Sequence, residues 1–399
     1  MTPTLSRFIP LLGCILILAG CSTTTVKTTE HEQIIQSQAA IPEDQLLDVG
    51  VGIFDPGVDD LSTDQEGVYP PIRRAEARYI PFQLSQTLQR TGNWGVVRVI
   101  PDRKSEMDLW VDGEIVESNG EQLTLKIKVQ DSTGRVWYRK TYEEAASKYA
   151  YDPNLQQARD DPFQGIYNRI ANDLLLFRQG LSVSDIKTIR TVTELKFAQE
   201  FSPEAFSDYL EVKSNGRYDI TRLPAENNPL LQRIHRIRER DFMFVDTLQD
   251  YYRSFSRQME TPYHEWRKQS YEEIVELRQL QNEANTRLLG GAIAVLAGIL
   301  AQGSDSNIAR TAGMVGIGAG AYTFKRGLDK RAEAKLHEQS LEELGSSLNA
   351  EIEPHTIELQ DRTVTLTGTV EDQYSQWREI LRQIYMTETG QQETDSPDQ

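Results

Sequence analysis

The sequence has almost no cysteine: two in 399 residues, Cys14 and Cys21. Beyond residue 21 there is no thiol nucleophile, no cysteine metal site and no disulfide framework, so what folds must be held by its cores. Histidine is scarce as well. His31, His235, His264, His337 and His355 are scattered, and none forms H-E-x-x-H or another ligand spacing. Tyr263-His264-Glu265 reads as surface residues on a helix rather than as a zinc pair. No G-x-S-x-G nucleophile turn and no G-x-x-x-x-G-K phosphate loop occurs. Ser184-Asp185-Ile186-Lys187 matches S-x-x-K, but the second serine motif and the K-T-G strand that such a site needs are missing, which leaves a helix-cap serine and a chance lysine. Basic excess is lacking too. The formal net charge is -17, which excludes the basic footprint of nucleic-acid binding and a broad electrostatic grip on anionic lipid. The acid is spread along the chain as a solvated surface. It crowds only at Asp55, Asp59, Asp60, Asp64 and Glu66, whose spacing fits no EF-hand, so a solvated loop is expected there rather than a calcium site. These absences point to a chain that is not an enzyme and has no catalytic residues, no metal site and no cofactor.

What is present begins at the N-terminus. One basic residue, Arg7, precedes an apolar run over 8–18 and the small pair Ala19-Gly20. This is the layout of a secretory signal, expected over 1–20. Leu18-Ala19-Gly20-Cys21 resembles the lipobox of bacterial lipoproteins. The resemblance implies that Cys21 receives a diacylglycerol on its thiol and, after cleavage, an acyl chain on its new amine. Cys21 is then the lipidation site and the first mature residue, and Cys14 leaves with the signal. Ser22, in place of the aspartate that favours inner-membrane retention in that family, implies the outer membrane, facing the periplasm. Residues 21–45, rich in Thr, Ser, Gln and Glu, read as a lipidated disordered tether. Fully extended, such a tether spans at most roughly 80 Å.

Residues 46–180 read as an α/β domain with the order strand, helix, four strands, helix. Leu47, Val49, Val51 and Ile53 alternate as a strand, and Asp55-Pro56-Gly57 stops it. Ile80, Leu84 and Leu88 mark a helix over 73–91, with Pro81 predicting a kink or a restart. A short strand over 96–100 is followed by strands over 109–117, 122–130 and 136–142. The turns Ser118-Asn119-Gly120 and Ser132-Thr133-Gly134 make these three a meander. Ile166, Ile170 and Leu174 mark the last helix, over 162–178. The run Asp108-Leu109, Gly113, Leu123-Thr124-Leu125-Lys126-Ile127-Lys128-Val129-Gln130-Asp131, Thr133-Gly134-Arg135-Val136-Trp137 and Tyr142 resembles the small α/β domain at the start of the Tol translocation propeller protein. The same domain type occurs in flagellar and curli-secretion lipoproteins and in lipoprotein activators of peptidoglycan synthases. The resemblance implies a partner-binding or oligomerisation module.

Residues 181–287 read as a helical region. Ser182 caps its first helix, Ser202-Pro203-Glu204 starts another, and Ser214-Asn215-Gly216-Arg217 is a tight turn. In the long segment from Leu230, Val245, Leu248, Tyr252, Phe255 and Met259 form a seam spaced three and four apart. Thr261-Pro262 predicts a kink or a capped restart within it. Composition then changes abruptly into a Gly/Ala-rich helical hairpin over 288–324 and a return helix over 325–352. Gly290, Ala294 and Gly298 lie four apart on one arm, and Ala312, Gly316 and Gly320 on the other. Such small-residue ridges let helix backbones approach closely. Each uncharged run is under or near the lower limit for a membrane-spanning helix, about 17 residues. The expectation is a tight intramolecular hairpin; a membrane-dipping or oligomerising hairpin is the alternative. Residues 353–386 read as a β-hairpin and helix. Val364-Thr365-Leu366-Thr367-Gly368-Thr369-Val370 resembles half of a BON domain, an envelope- and phospholipid-associated module. Residues 387–399 read as an acidic disordered tail.

The fold class expected is α+β: an N-terminal α/β domain, a long helical hairpin with a Gly/Ala-rich tip, and a small C-terminal β-hairpin plus helix. The function expected is that of an outer-membrane-anchored, periplasm-facing lipoprotein acting as a non-catalytic scaffold or assembly factor. Its partners would be the membrane, through the lipid anchor, and an envelope protein, with a homo-oligomer allowed by the ridges and no nucleic acid. The alternative is an oligomeric pore or secretion-type lipoprotein that inserts the Gly/Ala-rich helices. A further reading, carried by the domain resemblance, is an activator of a peptidoglycan synthase.

Overall fold

Strand β1 (Val49–Gly52) is fixed by alternation, with Val49 and Val51 completely buried on one face. The computed structural model describes residues 31–58, 69–103, 106–152, 154, 161–225, 227–300, 343, 354–358 and 363–390, with only the backbone over 279–300. After β1 come α1 (Pro70–Arg90), β2 (Val97–Ile100), β3 (Leu109–Ser118), β4 (Gln122–Asp131), β5 (Val136–Ala145) and α2 (Gln164–Gln179). The sheet order is β2-β1-β3-β4-β5. β1 runs parallel to β2 and β3, and β3, β4 and β5 form the antiparallel meander. The fold is therefore α+β, with the expected strand-helix-four strands-helix order. Gly113 is required in β3 because a Cβ there would lie 2.5 Å from the Phe54 ring.

Helix α1 runs unbroken through Pro81. Proline cannot donate to the carbonyl four residues earlier, which is that of Ala77. That carbonyl is not orphaned: the Phe54 amide donates to it at 2.9 Å. The chain leaving β1 thus closes the gap in the helix, and no restart is needed.

The first core lies between the sheet and helices α1 and α2. Val49, Val51, Ile115, Leu125 and Ile127 meet Ile80, Leu84 and Leu88 of α1 and Ile166, Ile170 and Leu174 of α2. The segment expected to be a free tether differs from His31 onward, because it lies along α2. Asn172 Nδ2 donates to the Glu32 carboxylate and the Gln33 carbonyl at 3.0 Å each, and Asn168 Nδ2 to the Glu32 carbonyl at 2.7 Å. Further on, the Ser37 amide donates to the Thr91 carbonyl at the end of α1. Two asparagines on the outer face of α2 supply the backbone partners that a polar strap needs.

Beyond α2 come α3 (Val183–Phe201), α4 (Pro203–Phe206), β6 (Leu210–Val212), β7 (Tyr218–Ile220), α5 (Pro229–Leu300), β8 (His355–Glu358), β9 (Thr363–Leu366) and α6 (Val370–Thr389). In the region expected to be helical over 181–287, the expected tight turn at 214–217 joins a two-stranded hairpin, β6-β7, with Gly216 at φ +77°. α5 is one 72-residue helix with Pro262 inside it. The reason is legible along its face: Met259, Tyr263 and Trp266 carry the buried seam across the proline without a change of phase. α6 starts at Val370, where Thr369 and Asp372 form a capping box, and ends at Gly390 in the left-handed region. It thus runs beyond the end of the unit expected over 353–386.

A second core joins these helices to the sheet. Val99, Ile100, Met107 and Trp110 pack with Val192 and Leu195 of α3, Val245 and Leu248 of α5, and Tyr374 and Leu381 of α6. The expected units 46–180, 181–287 and 353–386 are therefore fused through shared cores.

Candidate functional site

Helix α5 is the element that brings both cores together. Its contacts advance steadily along its length. Phe244 stacks on Trp377 of α6 at 5.1 Å between ring centroids. Asp246 pairs with Arg98 of β2 at 2.6 Å. Gln249 then completes the β2 edge: its Oε1 accepts from the Val99 amide and its Nε2 donates to the Val99 carbonyl, both at 2.9 Å. A side-chain amide here takes the place of a neighbouring strand and covers an edge that could otherwise recruit one. Gln83 of α1 donates to Ser256 at 3.0 Å.

At Tyr263 the helix enters a buried polar cluster. Glu76 of α1 is fully buried, and its Oε1 accepts from Tyr263 OH and from Ser118 Oγ, each at 2.5 Å. Arg73, one turn earlier, donates to the Ile115 and Val116 carbonyls at 3.1 and 3.2 Å. One turn on, Arg267 is also buried. Its Nη1 donates to both carboxylate oxygens of Asp161 at 3.0 and 3.1 Å, and its guanidinium lies 3.8 Å from the Tyr263 ring centroid. Burial works to lower the Arg267 pKa, but the Asp161 carboxylate and the surrounding tyrosines outweigh it and hold the guanidinium protonated. A charge this deep is tolerated because it is both paired and stacked.

Between α1, the start of α2 and α5 lies a cleft of about 670 Å³. Tyr79, Asp161, Glu260, His264, Glu265 and Arg267 are among the residues that line it. Burial raises the pKa of Tyr79 and Tyr263 far above neutrality, so both stay protonated hydrogen-bonding phenols. Burial lowers the pKa of His264, which leaves its imidazole neutral at neutral pH. The arrangement can hold polar groups by hydrogen bonds. Its strongest pair, Arg267–Asp161, is turned inward to fasten α5 to the start of α2.

A second cleft, of about 440 Å³, lies between the strap, α3 and α5, with Asp48, Asp108, Lys187, Arg190, His235 and Arg238 in its wall. Burial raises the Asp108 pKa, and its carboxylate accepts from the Asp48 amide at 2.9 Å. His235 contacts Glu194, and that hydrogen bond raises the imidazole pKa. Lys187 of the S-x-x-K match pairs with Asp44 at 3.6 Å, and Asp185 of the same match forms a capping box with Ser182. Those residues are thus spent on starting α3 and seating the strap.

Cys21, Ala312, Gly316 and Gly320 lie outside the described residues, as do Asp59, Asp60, Asp64 and Glu66 and most of the expected return helix over 325–352. Gly290, Ala294 and Gly298 lie on the described backbone of α5. Among the described residues no group of three or more His, Cys, Asp or Glu could hold a metal ion. Tyr263, expected at the surface, is 1% exposed. Sequence reasoning missed it, with Arg267, because the proline next to it hid the continuing period of the seam. The period from Met259 to Tyr263 to Trp266 was the signal available.

No family model and no curated protein matches the chain. Among solved structures it is similar to a leucine-to-methionine variant of PelC, a dodecamer from Paraburkholderia phytofirmans, at 16% identity over 35% of this chain and 94% of that one, with a TM-score of 0.21.

Proposed function

We propose that the chain is an outer-membrane-anchored lipoprotein that faces the periplasm and acts as a non-catalytic scaffold or assembly factor of the cell envelope. The address rests on Leu18-Ala19-Gly20-Cys21 and Ser22. The scaffold reading rests on one observation: α5 fastens both cores and then continues as helix after Arg278, where it pairs with Glu121 of the β3–β4 turn. A rigid body carrying a long arm is suited to holding partners at a set distance. The deep charges support the same reading, since Glu76, Arg267, Asp241 and Arg378 are bound to one another or to neighbours across elements. The test is a photo-crosslinking pull-down from envelope fractions, with the crosslinker placed on the exposed β3–β4–β5 face. Repeated capture of one envelope protein is expected. Hydrolysis of an envelope polymer by the purified chain, abolished by substitution of one Asp or Glu, would overturn the non-catalytic reading.

A further inference from the structure

The first described residue and the exit of α5 lie at the same pole of the folded body. His31, the first described residue, places Nδ1 3.0 Å from Glu144 Oε1 near the end of β5. Glu144 lies across from Leu123 in the sheet, and the Ala146 amide donates to the Glu121 carbonyl at 2.8 Å. Glu121 is the residue that Arg278 of α5 grips. Just before it, Gly120 touches α5 so closely that a Cβ would lie 1.8 Å from the Arg267 carbonyl oxygen. The β3–β4 turn, the end of β5, the start of the strap and the exit of α5 are thus neighbours. The first third of α5, around Phe244, lies against α6.

The lengths on either side of this pole agree. Residues 21–30 reach at most about 35 Å when fully extended. Residues 279–300 carry α5 about 33 Å beyond Arg278 at helical rise. The last part of that helix, 288–300, has no charged side chain. As a helix it is about 20 Å long, short of the roughly 30 Å hydrocarbon core. Among the described residues no helix is long and apolar enough to cross a membrane.

We infer that this pole faces the lipid surface to which Cys21 is anchored, and that the uncharged end of α5, 288–300, rests in the same surface without crossing it. The body then stands off the membrane on two supports, the short N-terminal tether and the arm of α5. The inference rests on the proposed acylation of Cys21, and the experiment reads the two separately. The full chain is purified from membranes and its intact mass measured, which reports the acyl groups. An environment-sensitive fluorophore is attached at Leu296→Cys, at Ile293→Cys, or at the exposed Met243→Cys in the first third of α5. Each labelled chain is placed in vesicles of phosphatidylethanolamine and phosphatidylglycerol containing brominated acyl chains; if the mass shows Cys21 free, the Cys21→Ser background is used. The labels at 296 and 293 should lose most of their fluorescence and the label at 243 none. With Cys21 acylated, absence of quenching at both 296 and 293, or equal quenching at 243, overturns the inference and leaves the anchor standing. With Cys21 free, the anchor reading falls; quenching confined to 296 and 293 would still sustain the membrane-facing pole, and its absence would end both.

Discussion

Arg378 is held in the second core by Asp241, to which its Nη1 donates at 2.9 Å, and by Glu200. Both Arg378 and Asp241 are buried, so removing one leaves the other uncompensated. Arg378→Met should lower unfolding stability by about 3–5 kcal/mol in urea titration, and the double variant Asp241→Leu/Arg378→Met should recover most of that loss. An unrecovered loss in the double variant would show that packing, not charge pairing, dominates. His235 makes the opposite kind of case, because it is part-exposed and pairs with Glu194. Its hydrogen bond to Glu194 raises the folded pKa above 6.5, against the effect of burial. The contribution is therefore fully present below pH 6.5 and is lost as pH rises through the folded value. His235→Ala should lower Tm clearly near about pH 5.5 and hardly at all near about pH 9. A shift independent of pH would sink that account. Gly120 is a steric position: a methyl group there meets helix backbone, which cannot swing aside as a side chain can. Gly120→Ala should cost about 1–3 kcal/mol, read as a lower urea midpoint.

Among the elements, β2 and α1 carry the clearest dependence on α5. Gln249→Ala removes both partners of Val99 and uncovers the β2 edge. We expect a loss of about 1–3 kcal/mol from the unpaired groups and larger species in light scattering from edge pairing. Gln249→Glu keeps an acceptor for the Val99 amide and should lose less. The elements themselves were largely legible in the sequence. Alternation at Val49 and Val51, the Gly120 and Gly134 turns, and the spacing of Ile166, Ile170 and Leu174 each predict an element that the structure contains. The failures have local causes. Pro81 and Pro262 suggest breaks, because a sequence does not reveal that Phe54 will satisfy the Ala77 carbonyl or that the seam keeps its phase. The strap reads as free in the sequence because polar Glu32 and Gln33 find their partners on α2, far away along the chain. The cleft at Arg267 was invisible for the same reason: it needs Asp161, more than a hundred positions away, to make a buried arginine tolerable.

For the whole molecule, the proposed anchor has its own test. Cys21→Ser should leave an uncleaved, unlipidated precursor that no longer fractionates with the outer membrane. Normal processing of that variant would remove the basis for the address. The course of α5 also has a consequence for the order in which the chain can fold. Phe255, Met259, Tyr263 and Trp266 belong to the first core, beside helix α1, whose Glu76 is laid down 187 residues before Tyr263. Until Trp266 has been made, that core has an open side, and Glu76 lacks one of its two hydroxyl donors. Contacts so distant in sequence form late, after the loop entropy between them has been overcome. We therefore expect the segment 46–180 not to fold as an early unit on its own, although its sequence reads as a complete domain. In a chain threaded through a translocon, as the proposed signal at 1–20 entails, such lateness would be an asset: the polypeptide would stay loose enough to be exported, and close only when its spine arrives.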